Sequence, residues 1–133
     1  MTTRGALLLA TLLLVVVGCA GPATDASTTP GTGVGGVVTA GPVCPVEKNP
    51  PDPACAPRPV DGAILAIHDA AGTEVARVTT VADGTYFAEL PAGFYVVIPQ
   101  PAKGLLGTPG SQSVTVADSA AVRLDLSYDT GIR

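Results

Sequence analysis

The side chains that could do chemistry are few in this 133-residue chain: one histidine, three cysteines and eleven acidic residues. The chain contains no GxSxG element, no phosphate-cradling glycine loop and no HExxH pair of zinc ligands. A Ser/His/Asp arrangement would need His68 as its base, yet His68 falls on the outward face of a predicted strand, with no specified partner. Such a histidine is typical of a solvated surface position. The sequence therefore predicts no catalytic residue.

Metal binding is the second chemistry to consider, because five aspartates lie in or beside predicted loops and calcium favours oxygen ligands. Aspartate is also an ordinary turn-forming residue, and the spacing of these five does not resemble an EF-hand. Zinc would lack ligands, since there is no CxxC pair and His68 could add only one imidazole. We expect no metal and no other cofactor. The five aspartates are Asp52, Asp61, Asp69, Asp83 and Asp118.

Residues 1–18 have the pattern of an export signal. Arg4 gives a positive start, and residues 6–17 form an apolar run without a charged residue. This run is shorter than the about 20 residues that a membrane-spanning helix needs. The run ends in Val16-Val17-Gly18-Cys19, which resembles the bacterial lipobox. The resemblance implies cleavage before Cys19, lipid on its thiol and anchoring at the outer face of the cell membrane. The alternative is an ordinary signal peptide whose cleavage region contains a cysteine.

The charge of the chain bears on its partners. Without residues 1–18, six basic residues stand against eleven acidic ones, a formal net charge of −5. An acidic chain without a basic cluster argues against nucleic acid and against polybasic membrane binding. Two or more acyl chains, of the palmitate type, would instead give stable anchoring.

Residues 19–32 are small, polar and rich in proline and glycine, which predicts a flexible tether.

Cys44 and Cys55 bound a proline-rich segment that is neither helix nor central strand. Exported chains meet oxidising conditions, and once Cys19 carries lipid these two cysteines remain. We therefore predict a Cys44–Cys55 disulfide, which should stabilise the fold by roughly 2–3 kcal/mol in the chain-entropy model. A metal or redox site is the alternative.

The residues discussed so far that follow the tether lie in or between short segments in which apolar and polar residues alternate. There is no helical periodicity after residue 18, and seven such segments at regular spacing predict an all-β, seven-stranded antiparallel sandwich with Greek-key connections. Asp83-Gly84 predicts a tight hairpin, and the glycines of the first segment predict an edge strand or a bulge. The segments are residues 33–43, 63–69, 74–80, 85–90, 93–98, 111–116 and 121–128.

Aromatic residues suggest where a partner could bind. There is no tryptophan, and the alternation puts Tyr86, Tyr95 and Tyr128 on the core face. Phe87 and Phe94 remain as exposed rings, and the pair Leu105-Leu106 lies in an exposed-looking loop. These two phenylalanines and two leucines could form a partner patch. Packing at sheet edges is the alternative explanation.

The run from Val60 to Tyr95 resembles the carboxypeptidase regulatory-like domain: a glycine-led strand, then Thr80 with Asp83-Gly84-Thr85-Tyr86, then Leu90-Pro91-Ala92-Gly93-Phe94-Tyr95. The flanking segments resemble exported actinobacterial proteins that carry this domain. The resemblance implies a prealbumin-like sandwich over residues 33–133.

An isopeptide crosslink of the collagen-adhesin kind is not expected, because Asn49, Lys48 and Lys103 all lie in loops.

Hydroxyisourate hydrolysis is also excluded, because that activity needs several histidines and a C-terminal Tyr-Arg-Gly-Ser, whereas this chain has one histidine. We predict a non-catalytic, lipid-anchored envelope protein whose sandwich contacts an envelope protein, a wall polymer or a small ligand. A structural spacer without its own ligand is the alternative from another class, and an enzyme is a distant third. The sequence leaves the oligomeric state open.

Overall fold

The structure, a computed structural model, describes residues 31–133. The predicted signal segment, Cys19 and residues 20–30 of the predicted tether lie outside this range. Within it, Thr32 is already buried, and its carbonyl oxygen accepts a hydrogen bond of 3.1 Å from the Leu90 amide. The described chain forms nine strands: β1 Gly33–Gly41, β2 Arg58–Pro59, β3 Ile64–Asp69, β4 Glu74–Thr79, β5 Thr85–Glu89, β6 Gly93–Pro99, β7 Gln112–Val116, β8 Ala121–Arg123 and β9 Leu126–Asp129.

The strands form two sheets that pack face to face as a β-sandwich. β1 is the centre of the five-stranded sheet, where it pairs antiparallel with β5 and β2 and parallel with β8 and β9. The four-stranded sheet has the order β4-β3-β6-β7, and all its neighbours are antiparallel. The chain therefore passes between the sheets several times, as a sandwich with crossing connections does.

The predicted last strand is two strands in the structure. β8 and β9 both pair with β1, and the chain breaks between them at Leu124 and Asp125. The Asp125 carboxylate accepts a hydrogen bond of 2.9 Å from the Val37 amide, which closes the break against β1. Alternating apolarity continues through such a break, so the pattern alone predicts one strand. The short β2 also has no pattern of its own, because it is held only by its pairing with Thr39 and Ala40.

Of the two predictions for the first strand, an edge position or a bulge, the edge position is wrong, since β1 has partners on both sides. The glycines of β1 instead allow neighbouring backbone and side-chain atoms to lie close to the strand. A Cβ on Gly36 would stand 2.0 Å from the carbonyl oxygen of Leu124, and a Cβ on Gly35 would stand 2.7 Å from the ring of Phe87. Glycine inside a strand marks such close approaches as well as edges.

The predicted hairpin at Asp83-Gly84 is a turn that crosses between sheets. β4 belongs to the four-stranded sheet and β5 to the five-stranded sheet. The turn itself forms as expected: Gly84 has a φ of 77°, its amide donates to the Val81 carbonyl at 2.8 Å, and the Asp83 carboxylate accepts from the Thr85 amide at 3.0 Å. Local turn chemistry fixes the reversal of the chain but not the sheet that the next strand joins.

The core lies between the two sheets and is built from residues of both, all within residues 31–133. The alternation predicted for β5 and β6 is confirmed, and so are the three core tyrosines. In β3 the predicted core face is buried, but Ala66 on the opposite face is buried as well. Within residues 31–133 there is no helix long and apolar enough to cross a membrane. The largest fully buried side chains are Tyr128, Leu65, Ile67, Val34, Val38, Val97 and Val116.

Candidate binding site at one end of the sandwich

The single histidine lies beside a structural ion pair. The Nε2 atom of His68 is 3.9 Å from a carboxylate oxygen of Glu74, and Arg77 donates two hydrogen bonds of 2.8 and 2.9 Å to the same carboxylate. The hydrogen bond from Arg77 lowers the pKa of Glu74. The Glu74 carboxylate is thus held by a guanidinium on the surface of β4. This geometry is that of a strand-surface ion pair, as expected for a solvated histidine.

The aspartates considered as calcium ligands are dispersed. Asp52, Asp69 and Asp83 each accept a hydrogen bond of 2.9–3.0 Å from a backbone amide of their own turn. Asp61 and Asp118 are exposed in separate loops. Among residues 31–133, no group of three or more His, Cys, Asp or Glu residues converges on a common point. The three bonded aspartates have the role of turn formers.

Cys44 and Cys55 form a disulfide, with 5.3 Å between their Cα atoms. They close the base of the segment that joins β1 to β2, which we call the stapled loop (residues 42–57). A short 3₁₀ turn at Pro53–Cys55 begins at Asp52, whose carboxylate accepts a hydrogen bond from the Ala54 amide. Most of the loop is exposed, so the disulfide and the turn hold a segment that has little core of its own.

The structure does not bring the four residues of the predicted patch together. Phe87 is 45% exposed on β5, whose alternate residues fill the core, so its ring lies on the outer face of the five-stranded sheet. Phe94 is 48% exposed on β6 and lies by the same argument on the outer face of the four-stranded sheet. The two rings therefore face away from each other across the sandwich. Phe87 covers Gly35, its partner on β1, as an aromatic ring often does for a strand glycine.

The two leucines also differ from each other. Leu106 is 79% exposed, with its amide bonded to the Asp129 carbonyl at 2.9 Å. Leu105, expected to be exposed, is half-buried and packs against the core. Leu105 also lines a groove that the alternation of apolar and polar residues in the sequence did not predict.

This groove, which we call the end groove, lies where β1 ends and has a volume of about 340 Å³. Its walls come from four parts of the chain: the end of β1, β2 with the residues after it, the loop between β6 and β7, and the segment after β9. Apolar side chains supply most of the lining, and Val60 and Leu105 connect it to the core. The apolar lining residues are Ala40, Val43, Pro59, Val60, Leu105 and Ile132.

Hydrogen bonds hold three of the walls of the end groove: the end of β1, the residues after β2 and the segment after β9. The Val60 amide donates to the Val38 carbonyl at 2.9 Å, and the Thr80 hydroxyl donates to the Val60 carbonyl at 2.6 Å. The Thr130 hydroxyl donates to the Pro42 carbonyl, and the Thr130 amide donates to the Gly41 carbonyl at 3.2 Å. The groove is therefore largely pre-formed, as small-molecule sites usually are.

Charge is distributed unevenly around the end groove. Of the six lysine and arginine residues in 31–133, four make ion pairs: Lys48 with Asp52, Arg77 with Glu74, Arg123 with Asp125, and Arg133 with Asp129. The other two, Arg58 and Lys103, have no carboxylate partner within these residues, and both line the end groove. Asp61 is the one acidic residue that lines it. The groove is thus locally positive in an acidic chain.

Three core tyrosines hold the loops around the sandwich. Their hydroxyls donate to backbone carbonyls: Tyr86 to Leu124 at 2.6 Å, Tyr95 to Pro91 at 2.8 Å and Tyr128 to Gln100 at 2.7 Å. Burial raises the pKa of all three phenols, so each remains a protonated donor. The bond from Tyr128 fixes the start of the loop that carries Lys103 and Leu105.

The two ends of β1 lie at opposite ends of the sandwich. Residues before β1 join it at Gly33, beside Glu89 and Ala121. The stapled loop, the end groove and Asp129 lie at the other end, beside Gly41. Nine residues of extended chain separate the two ends, a distance of about 27 Å.

No protein-family profile and no curated protein sequence matches this chain. Solved structures match it in fold. A minor pilin of Streptococcus agalactiae is similar to it with a TM-score of 0.55 and 14% identity over 74% of this chain, and the major pilin subunit of Bacillus cereus with a TM-score of 0.54 and 18% identity over 74%. The TIE protein of Bacillus anthracis matches with a TM-score of 0.53 and 16% identity over 72%. They share its fold.

The chain spans 44% of the minor pilin, 28% of the major pilin subunit and 17% of the TIE protein. It corresponds to less than half the length of each. At this identity the likeness extends to architecture only. The chain is a prealbumin-like or Ig-like β-sandwich.

Proposed function

We propose that this protein is a non-catalytic envelope domain, anchored by lipid on Cys19 at the outer face of the cell membrane, that makes contacts through the end of the sandwich farthest from its tether. The observation that carries the proposal is the opposite placement of the two ends of β1. The chain enters at Gly33, whereas the stapled loop and the end groove lie beside Gly41.

The anchor rests on the sequence Val16-Val17-Gly18-Cys19, which resembles a lipobox after a signal-like apolar run. With lipid on Cys19, residues 19–32 link the bilayer to the sandwich. A flexible chain of this length has a root-mean-square span of about 20 Å. The end of β1 at Gly41 is a further distance of about 27 Å along the strand. The end groove would therefore lie at the end of the sandwich that the tether does not occupy, about 27 Å from the point where the tether joins β1.

The non-catalytic part of the proposal is supported by what the polar side chains do. His68 and Glu74 lie in a surface ion pair with Arg77, and Asp52, Asp69 and Asp83 hold their own turns. Pilin subunits, which share the fold, also fit a role in structure and contact. The carboxypeptidase regulatory-like motifs noted in the sequence lie in turns and core positions, so membership of that family is part of the proposal. So is an actinobacterial type of exported lipoprotein.

A structural spacer would have the same fold and the same anchor. What favours contact over spacing is the end groove, where an apolar lining and two cations without carboxylate partners in residues 31–133 occur together. A domain with only a spacing role has no need for such a site. The four other cations in residues 31–133 each pair with a nearby acidic residue, so the two in the groove are exceptions. The partner would be an envelope protein, a wall polymer or a small ligand.

Replacing the acylated cysteine tests the anchor. In a Cys19→Ala variant of the full chain, the protein should leave the membrane fraction, because acyl chains supply its attachment. A Cys44→Ala, Cys55→Ala double variant is the control, and it should stay in the membrane fraction. Mass spectrometry of the unreduced wild-type protein should show an acylated Cys19. The anchor is refuted if the Cys19→Ala protein remains bound to membranes.

A further inference from the structure

We infer that the end groove binds a small amphiphilic carboxylate, a molecule with one apolar body and one negative charge. This inference rests on the proposed function, because it names the class of partner that the domain contacts. The groove belongs to the folded domain and not to the anchor, so ligand binding can be tested separately. The argument depends on three properties of the groove: its volume, its lining and its charge.

The volume of about 340 Å³ lies at the lower end of the range found for small-molecule sites. The walls come from separate segments and are held by hydrogen bonds such as Val60 N–H to the Val38 carbonyl. A pre-formed groove of this size suits a compact ligand better than a long peptide or a polymer, which would need an extended surface. The ligand is therefore a small molecule.

The lining determines the body of the ligand. Ala40 is buried, and Val43, Val60, Leu105 and Ile132 are half-buried around the groove. These side chains offer mostly branched aliphatic surface to whatever enters. Thr130 also lines the groove, but its hydroxyl already donates to the Pro42 carbonyl. An aliphatic or aryl body would bury apolar surface against them, which is the main source of affinity in such sites.

The rim determines the charge of the ligand. Arg58 and Lys103 come from different walls, β2 and the loop after β6, yet both line the same groove. Neither pairs with a carboxylate within residues 31–133, whereas the four other described cations do. Asp61 supplies one opposing charge, so the rim keeps one net positive charge. A single carboxylate complements that charge and can accept hydrogen bonds from the guanidinium.

Amide NMR chemical shifts of the chain from Ala20 onward test this inference, since that chain contains every described residue, including all residues that line the groove, and lacks the cysteine proposed to carry lipid. The probes are phenylbutanoate, the neutral phenylbutanamide and the cationic phenylbutylamine, which share one apolar body. We expect phenylbutanoate to shift the amides of Val60, Lys103, Leu105 and Ile132. We also expect it to bind about tenfold more tightly than phenylbutanamide, with phenylbutylamine weakest.

Two double variants separate the groove from general charge. Arg58→Gln with Lys103→Gln should weaken phenylbutanoate binding by about tenfold and leave phenylbutanamide binding unchanged. Lys48→Gln with Arg77→Gln changes the net charge equally but lies outside the groove, and it should leave both affinities within about twofold. The comparison of acid with amide on the unaltered protein needs no variant at all, so the test does not depend on how the variants fold.

Several results would overturn the inference. One is equal affinity for phenylbutanoate and phenylbutanamide, or no binding of either. Another is a shift pattern centred away from the groove, or equal weakening in both double variants. A concentration-dependent dimer that the groove variant abolishes would show instead that a second copy occupies the groove. None of these results would affect the membrane fractionation of Cys19→Ala, so failure of the ligand and failure of the anchor remain distinguishable.

Discussion

The hydroxyl of Tyr128 donates a hydrogen bond of 2.7 Å to the carbonyl oxygen of Gln100. Tyr128 belongs to β9 in the five-stranded sheet, whereas Gln100 directly follows β6 in the four-stranded sheet. The bond thus joins the two layers of the sandwich at the end where β1 finishes. Gln100 is also the first residue of the loop that carries Lys103 and Leu105 to the end groove. One phenol therefore links the core to a wall of the candidate site.

Tyr128→Phe should destabilise the domain and loosen this loop. The ring would still fill its place in the core, so the loss is that of one buried hydrogen bond, about 1 kcal/mol of unfolding free energy. Urea denaturation measures that loss. Hydrogen exchange at the amides of Lys103 and Leu105 should become faster in the variant, because the start of the loop is no longer held.

Tyr95→Phe is the matched control, since its hydroxyl bonds the Pro91 carbonyl at 2.8 Å at the other end of the sandwich. It should cost a similar free energy of unfolding and leave exchange at Lys103 and Leu105 unchanged. Equal loosening of the loop in both variants would mean that the bond from Tyr128 has no local role.

Gly36→Ala should be among the most damaging small substitutions in the chain. A Cβ at this position would stand 2.0 Å from the Leu124 carbonyl oxygen, which is backbone and cannot rotate away. We expect a loss of about 2 kcal/mol or more, as in other overpacked sites. Gly41→Ala in the same strand is the control, because the nearest atom would be a Pro57 side-chain carbon at 3.6 Å. It should be neutral or slightly stabilising; equal losses in the two variants would argue against the pairing of β1 with the β8–β9 break.

Removal of the disulfide should weaken the domain without changing its core. Cys44 and Cys55 are separated by eleven positions, and closing a loop of this size is worth roughly 2–3 kcal/mol in the unfolded chain. A Cys44→Ala, Cys55→Ala double variant should lose about that much in urea denaturation. Thiol titration of the denatured, unreduced wild-type domain should find neither cysteine free. Two free thiols, or no loss of stability, would contradict the assignment.

The segment after β9 should loosen in acid. The Arg133 guanidinium and the Gly131 amide donate to the Asp129 carboxylate and lower its pKa from the ordinary value of 3.8 to about 2. A lowered pKa means that this contribution to stability is complete above pH 3.8 and is lost as the pH falls through about 2. NMR titration of the carboxyl group measures this midpoint. Arg133→Ala should raise it, whereas Arg123→Ala, which removes a cation that pairs with Asp125, should not; a midpoint near 3.8 in the unaltered protein would refute the contact.

The strand pattern was predictable because one face of each strand is buried. Tyr86, Ala88 and Leu90 alternate with exposed residues in the sequence, and the structure buries these three. Pairing was harder to predict, since nothing local to β1 shows that β8 and β9 lie parallel to it. Glycine in a strand occurs both at sheet edges and where another backbone approaches closely, so the glycines of β1 fit either position. The Leu124 carbonyl beside Gly36 shows that close approach is the reason here.

The end groove could not be predicted from periodicity, because its lining comes from loops and strand ends that are distant in sequence. One signal was nevertheless present. Lys48, Arg77, Arg123 and Arg133 each have an acidic partner within four positions, while Lys103 has no acidic residue that near. Arg58 has Asp61 three positions away, yet the two do not pair in the structure. The predicted patch failed to assemble for a related reason: Phe87 and Phe94 belong to strands of different sheets.

Site-specific photocrosslinking of the full chain in intact cells tests the central claim most directly. A photoreactive residue replaces Val46 in the stapled loop, Pro59 at the end groove, or Asp118 in the turn beside the start of β1; all three positions are exposed. Mass spectrometry then identifies any adduct, whether protein, polymer or small molecule. We predict adducts from Val46 or Pro59 and none from Asp118. Adducts from Asp118 alone, or no adduct at any of the three positions, would contradict a contact role for this end of the sandwich.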